Sequence, residues 1–178
     1  MFNVTDKNNF DFNFFLETAR ASGIHINENL FIKKIANNNY GVFSRGEINI
    51  NNKVISIPKK FLISQSVMQD FINKEKIEYP YPNILKLYCS SLPNFEYFKK
   101  NHIAFANDEQ KKQILNFFIE EAPTRRKIKS FFDYIDKLNS TEKYLFLIFR
   151  SRAFNFENNS YLVPVLDMVN YKYGAERA

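Results

Sequence analysis

Few side chains in this sequence are equipped for covalent or acid–base chemistry. It holds one cysteine, Cys89, and two histidines, His25 and His102. A nucleophilic thiolate needs a base or a positive neighbour to lower its pKa. The three residues stand in unrelated contexts, so Cys89 reads as a buried, inert thiol and the two histidines as turn or surface residues. A single cysteine excludes an intrachain disulfide framework and a four-cysteine metal site, and it suits a reducing compartment. Two histidines argue against a histidine-built metal centre. The sequence holds no glycine-rich phosphate loop, GxSxG elbow, zinc-ligand spacing or DxDxDG calcium loop. With only 4 glycines, phosphate-cradling nests are scarce.

Two further groups of residues could meet a ligand. Arg125-Arg126-Lys127 with Lys129 form a basic run beside Phe131 and Phe132. At helical spacing the aromatics join an apolar stripe and the cations face water, so the run reads as a solvated helix start and nucleic-acid binding is disfavoured. Asp167 and Asn170 lie three apart in an otherwise apolar stretch. Buried carboxylates and amides need partners, so the pair either satisfies nearby backbone or faces a polar ligand.

The elements that must carry these groups can be read from periodicity. A helix is expected from about Phe10 to Ser22, with Phe14, Phe15 and Ala19 on one face and Gly23 ending it. Residues 31–36 and 40–44 read as a hairpin turning at Asn37-Asn38-Asn39. Residues 53–57 read as a strand closed by Pro58. Short helices follow over 66–73 and 83–90, and another is expected to begin at Pro93. Asn107 with Gln110 marks a capping box for a helix to Glu121, with Ile114, Leu115, Phe118 and Ile119 as its stripe. Pro123 opens the next, with Ile128, Phe131, Phe132 and Ile135 facing the core. Asn139 with Glu142 caps a third, whose 144–149 run is apolar all round. A strand over 161–165 closes the pattern.

Composition sets the frame. Of 178 residues, 45% are hydrophobic and 25% charged, ordinary values for a folding globular chain. The 23 Asn, 18 Lys, 18 Ile and 20 Phe point to an AT-rich coding sequence more than to a chemistry. Net charge is +6 with a pI near 9.3. The charge divides as +3 over residues 1–64, −1 over 65–122 and +4 over 123–178, with no charged tail. No window approaches a membrane span and the amino terminus lacks a signal-peptide pattern, so a cytoplasmic protein with no membrane partner is expected. The layout is a small β unit, a helical block and a return to β structure: an α+β protein whose β domain is interrupted.

Two stretches dense in special residues, Asn37 to Pro58 and Arg150 to Asn170, carry a family resemblance. Residues 39–48, Asn-Tyr-Gly-Val-Phe-Ser-Arg-Gly-Glu-Ile, are followed by 54–63, Val-Ile-Ser-Ile-Pro-Lys-Lys-Phe-Leu-Ile. Later come Ser151-Arg152-Ala153-Phe154 and 162–170, Leu-Val-Pro-Val-Leu-Asp-Met-Val-Asn. In this order they resemble the SET-domain protein methyltransferases, in the branch typified by the Rubisco large-subunit methyltransferase, whose SET fold is split by a helical insertion.

The resemblance implies a division into an N-terminal helical segment (1–30), the first part of SET (31–64), a helical insertion (65–145) and resumed SET (146–178). It implies S-adenosylmethionine as cofactor and N-methylation of a lysine on a non-histone protein. Cofactor contacts would fall on Asn38, Tyr40, Arg152, Asp167, Asn170 and Tyr171, with Arg152 on the methionine carboxylate. Phe149, Phe154 and Tyr161 would be wall residues of the substrate channel. No metal is expected. Asn39 stands where the family often has glycine, and Tyr171 where it usually has histidine. In the family a catalytic tyrosine follows in a further C-terminal segment; that segment is expected to be missing here, so no catalytic residue is assigned. An unpaired edge in its place would favour self-association. The alternatives are a catalytically silent SET-like module that binds a peptide or partner, and, more weakly, a basic nucleic-acid-binding domain.

Overall fold

The computed structural model describes residues 10–36, 39–49 and 51–168. The chain is mixed α+β, with α-helices and three two-stranded antiparallel sheets among the described residues. It divides into two compact units, one formed by residues 1–92 with 149–178 and the other by residues 93–148. The helical stretch expected over 65–145 is therefore shared, because its first two helices belong to the unit that holds the strands.

In the first unit, α1 (Phe12–Ala21) begins where Asp11 accepts backbone N–H groups from Asn13 and Phe14 at 2.9 and 3.0 Å. A carboxylate here satisfies two orphan donors and complements the helix dipole. The buried stripe is Phe12, Phe15, Leu16 and Ala19. Phe14, expected on that face, is exposed instead. Gly23 follows at φ +99°, the left-handed conformation that turns the chain away. Arg20 on α1 reaches across to the carbonyls of Ile26, Asn27 and Leu30 and holds the next turn.

Strand β1 (His25–Ile26), too short to announce itself in the sequence, pairs with β4 (Ile55–Ser56), which falls within the strand expected over 53–57. Strands β2 (Leu30–Ala36) and β3 (Asn39–Ser44) form the expected hairpin, in register Phe31 to Phe43 and Lys33 to Gly41, with a bulge between Lys34 and Ala36. Past Pro58 a 3₁₀ turn (Lys59–Phe61) buries Phe61 completely. Two helices close this part. The first, α2 (Gln65–Asn73), is capped by Ser64 and ended by Lys74 at φ +60°. The second, α3 (Pro82–Ser91), packs against α1, with Pro82 on its first turn.

In the second unit, α4 (Phe95–Asn101) starts on Asn94, not Pro93, because the asparagine side chain accepts the Tyr97 N–H at 2.7 Å. The capping box of α5 (Asp108–Phe117) forms as expected. This helix stops before Glu121, and Phe117 and Ile119 face solvent. The next helix, α6 (Ala122–Ile135), buries Phe132 and Ile135. The last, α7 (Ser140–Arg152), whose residues from 149 on belong to the first unit, begins on a second capping box: Asn139 and Glu142 exchange bonds of 2.8 and 3.0 Å. Ala104, Ile135 and Leu147 centre this unit's core, with Phe98, Phe105, Phe131, Leu138 and Phe146 packed round them. The Tyr144 hydroxyl donates to the Pro93 carbonyl at 2.8 Å.

Back in the first unit, the strand expected over 161–165 is replaced by a hairpin, β5 (Phe154–Phe156) with β6 (Asn159–Tyr161). Its two turn residues, Glu157 and Asn158, lie at φ +47° and +64°, the pair of positive values a type I′ turn requires. Pairing then continues for one residue, Leu162 with Ile63. Val165 at φ +73° bends the chain out of extended structure into a 3₁₀ turn (Leu166–Met168).

Candidate functional site

Asn38, Asn170 and Tyr171 lie outside the described residues. Tyr40 is in β3, its backbone in register with Lys34. Arg152 is the last residue of α7, and Asp167 sits in the 3₁₀ turn after Val165. That turn lies alongside β3, so two of the stretches singled out in the sequence, some 120 residues apart, are neighbours.

Arg152 and Asp167 meet directly. Arg152 Nη1 lies 3.2 Å from Asp167 Oδ2, with 28% of the arginine side chain exposed and none of the aspartate's. The same Oδ2 accepts the hydroxyl of Tyr88, on α3, at 2.6 Å. The 2.6 Å hydroxyl bond has the length of a bond to an ionised oxygen, and the 3.2 Å arginine contact is longer than that class of bond. The sequence left two partners open for Asp167, nearby backbone or a ligand; the partners observed are an arginine and a tyrosine side chain. Asp167 Oδ1 is buried and, among the described residues, has no hydrogen-bond partner.

Charge at this triad is finely opposed. Burial pushes the Asp167 carboxyl above its usual range, while Arg152 and the Tyr88 hydroxyl pull it down without cancelling the burial. Burial and the nearby carboxylate push the Tyr88 phenol well up, so it stays a donor at any ordinary pH. An arginine with one edge on Asp167 keeps N–H groups for a second acceptor, and beside it a buried carboxylate oxygen lacks a donor. Only the arginine side chain reaches solvent, so of the two residues it is Arg152 that can meet a ligand acceptor such as a carboxylate, while Asp167 is enclosed behind it.

A separate cleft of about 320 Å³ opens in the same unit. Ile55, Ile57 and Leu62 line one side, and Phe154, Phe156 and Tyr161 the other. Of the three expected wall residues, Phe154 and Tyr161 are here, while Phe149 is buried in α7. Lys59 stands at its edge, paired with Glu157 and 5.2 Å from the Phe156 ring centre. Neither Arg152 nor Asp167 lines this cleft.

The minor candidates fall into place as structural residues. Burial raises the Cys89 thiol pKa, and its sulfur lies 3.6 Å from Met68. His25 contacts the Lys53 carbonyl at 3.0 Å, and His102 Nδ1 accepts the Ala104 N–H at a turn. Arg125, Arg126, Lys127 and Lys129 are all exposed along α6. Among the described residues no three His, Cys, Asp or Glu gather as a metal site, and no helix is long and apolar enough to cross a membrane. Sequence reasoning missed Tyr88, because a tyrosine on an apolar helix face carries no motif.

No family model matches the chain, and neither the curated proteins nor the solved structures contain a significant match.

Proposed function

We propose that this chain is a SET-type protein-lysine N-methyltransferase acting on a non-histone protein, with S-adenosylmethionine as methyl donor. The observation that carries the reading is the proximity of β3 to the Leu166–Met168 turn, which brings together the two stretches whose residues resemble the family's cofactor-binding motifs. Arg152 would hold the carboxylate of the cofactor's amino-acid end through the N–H groups Asp167 leaves free, with Asp167 orienting it from behind. Tyr40, with Asn38, Asn170 and Tyr171, would complete the site.

The cofactor supplies an already activated methyl group, so the chain's own task is to bind, orient and exclude water. The acceptor lysine must arrive neutral, against an ordinary pKa of about 10.4. An apolar cleft with aromatic walls suits a desolvated amine, and the cleft between β4 and the β5–β6 hairpin has that character.

Calorimetric titration with S-adenosylhomocysteine tests the reading. Micromolar binding by the wild-type chain, lost in Arg152→Ala, supports it; absence of binding by the folded chain sinks it. One observation favours a second reading, a silent peptide-binding module: Phe154 and Phe156 are 44% and 45% exposed beside the cleft. Binding of cofactor with no methyl transferred to any lysine-bearing protein, followed by mass spectrometry, would favour that alternative.

A further inference from the structure

Tyr88 belongs to none of the motif stretches, yet it is wholly buried and spends its hydroxyl on Asp167. The geometry gives that bond a definite role. A carboxylate rotates about its last side-chain torsion unless something holds it, and that torsion has a broad energy minimum. Here one oxygen is gripped from two directions, by Tyr88 from α3 and by Arg152 from α7. The guanidinium is planar, so an acceptor fixed against Nη1 also fixes where its remaining N–H groups point.

We infer that Tyr88 is a positioning residue whose hydroxyl locks the Asp167 carboxylate, and through it the Arg152 guanidinium, in the orientation that receives the carboxylate of an amino-acid ligand. The inference rests on the proposed function for the identity of that ligand. It also places a determinant of the site on α3, outside the two motif-bearing stretches.

Three groups on the elements packed around Asp167 bear on its charge: Arg152 on α7, Tyr88 on α3 and the backbone of its own turn. Cys89 acts on Tyr88 and stays neutral. Arg152 holds Asp167 only while the carboxylate is ionised, so the lock is complete above the Asp167 midpoint and is lost as pH falls through it. Removing the tyrosine hydroxyl removes one of the groups that favour the anion. The midpoint then moves up, and the lock fails at a higher pH than in the wild type.

Tyr88→Phe removes a single oxygen and keeps the ring that fills the core. Two measurements on the full chain test it. The first is S-adenosylhomocysteine affinity by calorimetry across pH, where Tyr88→Phe is expected to bind about tenfold more weakly at neutral pH, the loss growing as pH falls. The second is the pH midpoint of the Asp167 carboxyl by carbon-13 resonance, assigned by its absence in Asp167→Asn, where Tyr88→Phe is expected to titrate higher. Unchanged affinity in Tyr88→Phe overturns the inference whatever the midpoint does. If the wild type does not bind, the methyltransferase reading fails by itself. The carboxyl midpoint then judges the hold of Tyr88 on Asp167: an upward move upholds the lock and an unmoved midpoint overturns it. Should Tyr88→Phe not fold, the wild type alone decides, through a slowly exchanging Tyr88 hydroxyl proton whose signal is lost as Asp167 titrates. Its absence overturns the lock.

Discussion

Ile63 and Leu162 exchange both of their backbone hydrogen bonds, at 3.0 and 2.9 Å, and neither side chain exposes any surface. The pair joins chain on either side of the helical block, so its packing holds the two parts of the first unit together. Ile63→Ala removes buried methylenes at this seam and is expected to cost about 2–5 kcal/mol. Urea denaturation read by circular dichroism checks it, and a cost near zero would mean the seam contributes little.

Asp167→Asn separates stability from binding. The folded-state pKa of Asp167 is raised above its unfolded value, so its contribution to stability is fullest below that unfolded value and is lost as pH rises through the folded midpoint. Above that midpoint the wild type buries an ionised carboxylate with one oxygen unpaired among the described residues, and asparagine avoids that charge. The variant is therefore expected to unfold at a higher temperature than the wild type above the Asp167 midpoint, with the gap closing as pH falls through it, and to lose affinity for S-adenosylhomocysteine. Scanning calorimetry at several pH values reads the first effect.

Gly23 sits at φ +99° with open space where a Cβ would go. The cost of Gly23→Ala is then conformational and not steric crowding, about 1–2 kcal/mol. A chemical-denaturation midpoint that did not fall would show that the turn after α1 relaxes freely.

Cys89 is expected to resist thiol reagents. Its raised pKa keeps it a neutral thiol well into alkaline pH, where the reactive thiolate is scarce. Labelling by a disulfide reagent at pH 8 should be slow in the native chain and become immediate in denaturant. Fast labelling of the native chain would contradict the burial described for α3.

What could be read ahead of the structure follows from the range over which each signal acts. Asn107 and Asn139 announce α5 and α7 because a cap is a contact between residues three apart. The β2–β3 hairpin is legible for the same reason. Pro93 misleads because the cap that starts α4 belongs to its neighbour Asn94, and proline suits the positions on either side of a helix start. The expected strand over 161–165 fails at Val165, whose positive φ is a conformation that no β-branched residue advertises. The β5–β6 hairpin hides because Glu157 and Asn158 do the work usually given to Asn-Gly. At the candidate site, Asp167 stands out by its polar character in an apolar stretch, and Arg152 is marked only by the resemblance of residues 151–154 to a family motif. Their contact with each other and with Tyr88 depends on tertiary packing and has no local trace.

The bond from the Tyr144 hydroxyl to the Pro93 carbonyl ties the last helix of the second unit to its first residue. Entry and exit of that unit thus lie within one side chain's reach, and its core draws only on residues between them. An insertion or deletion between those two ends is expected to leave the ends themselves as close together as before.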